Sequence, residues 1–163
     1  MINAAEKLPG GIVPLIRPAT RFDIPAMLAI ESRSVTAAHW SSAQYEELFS
    51  NSNPSLRRLA LAITAETIIL GFLVARGLGE EWEIENLAVE GTARRRGLGT
   101  RLLLEFLDLV RAEGAREIFL EVRESNRAAR SLYGKWSFVE SGKRVGYYRE
   151  PDEDAVVCRL AFP

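Results

Sequence analysis

The chain has very little with which to bind a metal or to cross-link itself. It carries one cysteine, Cys158, and one histidine, His39. That excludes an intramolecular disulfide and a Cys₂His₂ zinc site, and no metal centre is expected. Cys158 stands among Val156, Val157 and Leu160 and reads as a core residue. His39, beside Trp40, reads as a loop or packing residue rather than a base, although an ordinary imidazole could titrate near neutrality. Charge of one sign is also missing: 21 Lys and Arg stand against 22 Asp and Glu, net −1, which argues against a nucleic-acid-binding face. No apolar run approaches the roughly 18 residues of a membrane span. Residues 1–12 lack the basic start and apolar middle of a secretory signal, so a cytoplasmic protein with no membrane partner is expected.

What is present is an ordinary globular composition, 47% apolar and 26% charged over 163 residues, enough for one domain with a substantial core. Residues 1–12, with Lys7, Pro9, Gly10 and Gly11, read as a loose extension, and 13–163 as a single domain without linker or repeat. A first strand is expected over 14–19. A helix follows, capped by Thr20 or Asp23, with Pro25 in its first turn and Met27, Leu28 and Ile30 inward. A second helix begins at Ser41 or Ser42 and buries Tyr45, Leu48 and Phe49. Strands over 58–65 and 67–76 read as an antiparallel hairpin. A fourth strand, 82–89, places Glu83, Glu85, Leu87 and Val89 on one face and Trp82, Ile84, Asn86 and Ala88 on the other. Leu98, Leu102, Phe106, Leu109 and Val110 follow helical spacing up to Gly114, and a fifth strand covers 116–122. Strand, helix and strand make a βαβ unit, so strands four and five are expected to be parallel neighbours. Asn126 is placed to cap a further helix. Strands over 138–144 and 155–160 follow, separated by an aromatic, then acidic loop over 145–154.

The most informative stretch is Arg94-Arg95-Arg96-Gly97-Leu98-Gly99, between the fourth strand and its helix. A glycine-rich turn at a helix N-terminus exposes unpaired backbone N–H groups at the positive end of the helix dipole, which suits the phosphate of a small ligand. The spacing is neither a Walker A loop nor Gly-x-Gly-x-x-Gly, because no Gly-Lys-Ser/Thr follows and position 102 is Leu. It is Arg-x-x-Gly-x-Gly.

In this setting the motif resembles the pyrophosphate-binding signature of the GNAT N-acetyltransferases, and the order of elements over 14–160 is similar to theirs. The resemblance implies an α/β fold built on a mixed, mostly antiparallel twisted sheet of about seven strands flanked by helices. Leu120-Glu121-Val122-Arg123-Glu124-Ser125-Asn126 with Leu132-Tyr133, and Arg144-Val145-Gly146-Tyr147-Tyr148, narrow it to the ribosomal-protein-alanine N-acetyltransferases, the RimI-like branch. That implies acetyl-CoA as acetyl donor and a protein or peptide N-terminus as acceptor, that of a small-subunit ribosomal protein beginning with alanine. Acetylation of a small-molecule amine or another peptide, and a non-catalytic acyl-CoA-binding regulator, are the alternatives.

Carried over residue by residue, Glu121 is the general base, with Glu85 as second choice, and Tyr133 is the acid that protonates the departing thiolate. Leu87, Ala88 and Val89 would contact the acetyl and pantetheine portion. Arg94, Arg95, Arg96, Gly97, Leu98, Gly99 and Thr100 would hold the pyrophosphate, with the amides outweighing the arginine side chains. Asn126 would both cap its helix and touch the cofactor. Trp40, Tyr147 and Tyr148 are the candidate acceptor wall, the last two because an aromatic pair offers both area and hydroxyl groups. The acidic residues Glu150, Asp152, Glu153 and Asp154 could steer a basic peptide. In one place the chain departs from the family pattern: Ser137 precedes Phe138 where a glycine is usual, so the helix carrying Tyr133 is expected to close differently.

Overall fold

A computed structural model describes residues 8, 11–50 and 52–163. The extension expected over 1–12 falls largely outside these residues. The core is one seven-stranded sheet in the order β1-β2-β3-β4-β5-β7-β6. Its strands are β1 (Leu15–Pro18), β2 (Arg57–Ala65), β3 (Ile68–Leu78), β4 (Glu81–Val89), β5 (Glu117–Arg123), β6 (Val139–Tyr148) and β7 (Glu153–Ala161). All pairs are antiparallel except β4 with β5.

Helices α1 (Ile24–Ser32) and α2 (Ser42–Leu48) cover one face, and α3 (Leu98–Ala112) and α4 (Arg127–Lys135) the other. Thr20 opens a short 3₁₀ turn over Arg21–Asp23 ahead of α1. Asp23 does not cap through its side chain, because that carboxylate is held by both terminal nitrogens of Arg17 at 2.7 and 2.8 Å. Ser41 and Gln44 form a capping box on α2. The inward side chains of α3, Leu102, Leu103, Phe106 and Val110, pack on Trp82, Ile84, Ile118 and Leu120, and Gly114, at φ 86°, lets Ala115 turn back onto the Val110 carbonyl.

Three expectations are corrected. The alternation along β4 does not run unbroken: Val74 pairs with Asn86 but Ala75 with Ile84, so Glu85 is an extra residue, a β-bulge. The bulge shifts the phase. Trp82 and Ile84 face α3, whereas Asn86 and Ala88 face α1 and α2. Second, residues 145–148 are not loop but the end of β6, and Glu153 and Asp154 open β7. Third, α4 closes as a glycine-ended helix would. Ser137 adopts the left-handed conformation at φ 68°, the Phe138 N–H reaches the Tyr133 carbonyl at 3.1 Å, and the Ser137 N–H reaches that of Gly134 at 3.3 Å. The helix end satisfies its carbonyls and buries Phe138 against Tyr133, ring centroids 5.5 Å apart, and this outweighs the strain at serine.

Left-handed backbone costs a non-glycine residue about 1–2 kcal/mol, and glycine loses about 0.5–1 kcal/mol in chain entropy on folding. Ser137→Gly is therefore expected to stabilise the protein by about 0.5–1 kcal/mol, read as a higher urea midpoint. A lower midpoint would contradict the account of this helix end.

Candidate active site

The parallel pairing of β4 with β5 runs from Glu81–Glu117 to Ile84–Leu120 and stops there. Beyond that point β4 continues on its β3 partner and β5 on β7, so the facing edges of the two strands part. The bulge at Glu85 lies at the fork. A cleft opens between the strands, lined by Glu85, Asn86, Leu87, Glu121, Tyr133 and Tyr148 among others, with Asn126 and residues Thr36, Ala37 and Ala38 at its rim. Residues more than 40 positions apart in the chain meet there because a sheet fork exposes both strand edges at once.

The two catalytic candidates enter from opposite faces. Ile118, Leu120 and Val122 of β5 point to α3, so Glu121 points to the α1–α2 face. Its carboxylate meets the Arg144 guanidinium of β6 at 2.5 Å. Tyr133, on α4, lies on the α3 face, 6% exposed. Its hydroxyl has no hydrogen-bond partner among the described residues, and burial holds its phenol well above the usual range, with Cys158 and Tyr148 adding to the effect. It is thus a protonated, unspent donor. Glu85 is less free: its carboxylate is clamped by Arg58 at 2.5 Å and Arg76 at 3.6 Å. Burial raises its pKa while both arginines oppose the rise.

At the N-terminus of α3, Arg95 and Gly97 both take left-handed backbone, φ 61° and 70°. The N–H groups of Arg95, Arg96, Gly97, Leu98, Gly99 and Thr100 have no acceptor among the described residues. This is the orphan-donor array that an anion fills. Arg94 does other work, donating to the Val89 carbonyl and the Ser34 hydroxyl at 3.0 Å each. Together with the Arg33–Glu90 ion pair it ties the loop after α1 to the end of β4. Asn126 accepts from the Ala129 N–H at 3.1 Å, the expected cap, and lines the cleft.

Of the acceptor-wall candidates, Tyr148 lines the cleft, with the Arg123 guanidinium 4.2 Å from its ring centroid. Tyr147 lines an adjoining hollow with Arg76, Glu83, Phe119, Glu121 and Arg144, perpendicular to Tyr148 at 5.1 Å. Trp40 turns elsewhere, 5.3 Å from Tyr45 in the packing of α2, and the loop before it contributes Thr36–Ala38 instead. Three of the four acidic residues have partners within the chain: Glu153 accepts from the Ser125 N–H and pairs with Arg123, Asp154 accepts from the Gly146 N–H, and Asp152, exposed, lies 3.8 Å from Arg149. Sequence reasoning missed Glu31 and Asn86, whose buried hydrogen bond lies just behind the cleft; the only signal was a glutamate on an otherwise apolar turn of α1.

A model of the acetyltransferase (GNAT) family matches residues 24–138, and the chain belongs to that family: it is an N-acetyltransferase. Among its relatives, the ribosomal protein bS18-alanine N-acetyltransferase of Salmonella typhimurium is 35% identical over 140 residues, 85% of this chain and 90% of that protein. The crystal structure of the ribosomal-protein-S18-alanine N-acetyltransferase from Escherichia coli superposes with a TM-score of 0.80 at 30% identity, covering 91% of this chain and 93% of that one. Ard1 from Thermoplasma volcanium superposes with a TM-score of 0.81 at 26% identity, over 92% and 98% of the chains.

All four tyrosines are held above the ordinary phenol: Tyr45 and Tyr133 by burial, Tyr147 to about 12 by the Glu121 carboxylate, and Tyr148 to about 12 by burial. The folded protein keeps protons that the unfolded chain sheds near pH 10. The stabilisation is therefore complete below about pH 10 and is lost as pH rises toward 12 and beyond. Near pH 11 the native protein should show only a small part of the phenolate absorbance of the guanidinium-unfolded chain; equal absorbance would contradict this reading of the site.

Proposed function

We propose that the protein transfers an acetyl group from acetyl-CoA to the α-amine at the N-terminus of a protein, a ribosomal protein beginning with alanine, by direct transfer in a ternary complex. The observation that carries this reading is the fork between β4 and β5, where Glu121 and Tyr133 approach one gap from opposite faces of the sheet. Relatives named for bS18-alanine acetylation support the choice of acceptor.

The residues present fit acetyl-CoA. The free amides of Arg95–Thr100 suit its pyrophosphate, and the unpaired edge of β4 from Leu87 to Val89 can receive an extended pantetheine arm as a sheet receives another strand. When bound, it supplies the thioester carbonyl that the amine attacks. Arg95 and Arg96 add positive field at the loop, and Asn126 borders the arm beneath its helix cap.

An α-ammonium has a pKa near 7.7–8.0 and needs little help to lose a proton at neutral pH. Glu121 takes that proton on the α1–α2 face, exchanging the Arg144 guanidinium for the incoming ammonium. As the new C–N bond forms and the C–S bond breaks, Tyr133 gives its proton to the sulfur from the α3 face, and the second proton that the nitrogen sheds on becoming an amide returns through solvent to the tyrosinate. Base and acid on opposite faces keep the arriving and departing groups apart, and Tyr147 and Tyr148 flank the acceptor's entry.

Glu121→Gln should lower kcat/KM for an alanine-initiated peptide about a hundredfold near pH 7, the usual scale for a positioned base. The loss should shrink as pH approaches 9 and the amine deprotonates unaided. Tyr133→Phe should lower kcat about tenfold or more with the KM for acetyl-CoA little changed. These are read by mass spectrometry on peptides beginning Ala, Ser, Met or Gly, a blocked lysine peptide and a polyamine. Preference for free N-terminal alanine supports the acceptor, and modification of the polyamine alone overturns it.

A further inference from the structure

Behind the cleft lies a buried polar cluster that the chemistry above does not use. Glu31 of α1, 1% exposed, has no cationic partner among the described residues. Its carboxylate accepts from the Tyr45 hydroxyl at 2.9 Å and from the Asn86 side-chain amide at 2.8 Å, and the same amide nitrogen donates to Tyr45 at 3.1 Å. Burial, with the Glu31 charge beside it, holds the Tyr45 phenol protonated. A buried carboxylate is costly unless hydrogen bonds satisfy it, and two neutral donors do so here.

This triangle fixes one thing about Asn86 that its surroundings alone would not. A carboxylate offers only acceptors, so it can face only the NH₂ end of the amide. The carbonyl oxygen Oδ1 must then point away from Glu31. Asn86 lines the cleft. Its Oδ1 receives no hydrogen bond from any described residue, yet it is not sealed off as a buried unpartnered atom. Asn86 sits next to the bulge, just beyond the last β4–β5 pair, and its side chain is on the α1–α2 face, the same face as Glu121.

We propose that Asn86 binds the acceptor amine directly, its Oδ1 accepting one amine N–H while Glu121 takes the proton to be lost, and that Glu31 is the positioning residue that keeps the Asn86 amide in that orientation. The inference rests on the acetyltransfer to an N-terminal amine argued above. An ammonium has three N–H bonds. With one proton passing to Glu121 and a second N–H held by Asn86, only the third N–H and the lone pair remain unheld, so few orientations of the amine are left, and such orientation is what converts proximity into rate.

The test is steady-state kinetics of the full chain with an alanine-initiated peptide and acetyl-CoA, each varied in turn. Asn86→Ala is expected to lower kcat/KM for the peptide about ten- to a hundredfold, the range of one hydrogen bond to a charged group, with the KM for acetyl-CoA within about twofold of wild type. Glu31→Gln, whose amide can no longer accept from both donors, should produce a loss of the same kind, about tenfold. In the double variant Glu31→Gln/Asn86→Asp the amide at 31 can donate to the carboxylate at 86 and the Tyr45 hydroxyl can donate to one of the two, so two of the three hydrogen bonds re-form, and a carboxylate oxygen takes the place of Oδ1. It should recover peptide kcat/KM to within about threefold of wild type. Met27→Ala, a core truncation on the same helix, should lower the melting temperature while leaving both kinetic constants of the folded enzyme within about twofold.

Unchanged peptide kinetics in Asn86→Ala, a double variant no better than Glu31→Gln, or equal kinetic losses in Glu31→Gln and Met27→Ala would each overturn the inference and leave the acetyltransferase reading standing. A wild-type protein that acetylates no peptide overturns that reading, and this inference with it.

Discussion

The chemistry proposed for this molecule depends on a sheet hydrogen-bond ladder that stops. Parallel strands normally stay paired for as long as both run, because an unpaired backbone edge in the interior is costly. Here β4 and β5 separate after Ile84 and Leu120, at the point where the extra residue Glu85 twists β4 away from its partner. The fork exposes two lines of backbone groups and lets side chains from either face reach one gap. A continuous sheet would have kept Glu121 and Tyr133 on opposite sides of a wall.

The rest of the fold keeps this opening from closing. Two apolar clusters grip β4 from both sides, one built on Trp82 and Ile84 with the α3 residues Leu102 and Phe106, the other on Ala88 with Phe72, Tyr45 and Met27. The bulge lets one strand serve both, by changing which of its residues face each cluster. At the end of β4, Arg94 and Glu90 fasten the loop after α1 to the start of the α3 turn, which joins the rim of the cleft to the amide array. On the far side, β7 holds β5 along its whole length while β6, exposed over most of its residues, carries Arg144, Tyr147 and Tyr148 to the cleft and the hollow beside it.

Much of this was legible in the residues. The Arg-x-x-Gly-x-Gly turn, the α3 periodicity, the Asn126 cap and the parallel β4–β5 pair follow from local rules of backbone geometry and hydrophobic spacing, and each appears as expected. What was not legible depends on contacts distant in sequence. A β-bulge leaves no composition signature, so strict alternation put Asn86 and Ile84 on one face when the fork puts them on opposite faces. Trp40 reads as part of an acceptor wall, and its ring packs 5.3 Å from that of Tyr45. Arg94 stands in a phosphate-loop motif, yet its guanidinium is spent on Val89 and Ser34. Ser137 breaks a glycine rule because burying Phe138 on Tyr133 outweighs a strained φ. Glu31 had no visible reason to be buried until Asn86 and Tyr45 came to it.

In the proposed reaction the amide turn and the strand fork form one continuous donor site, the turn for the pyrophosphate and the fork for the arm. Backbone amide NMR of the protein titrated with acetyl-CoA and, separately, with acetyl-pantetheine tests it most directly. Large shifts are expected at Arg95–Thr100 with acetyl-CoA only, and shifts at Glu85–Val89 with both. Shifts at Arg95–Thr100 with acetyl-pantetheine, or none there with saturating acetyl-CoA, would contradict it.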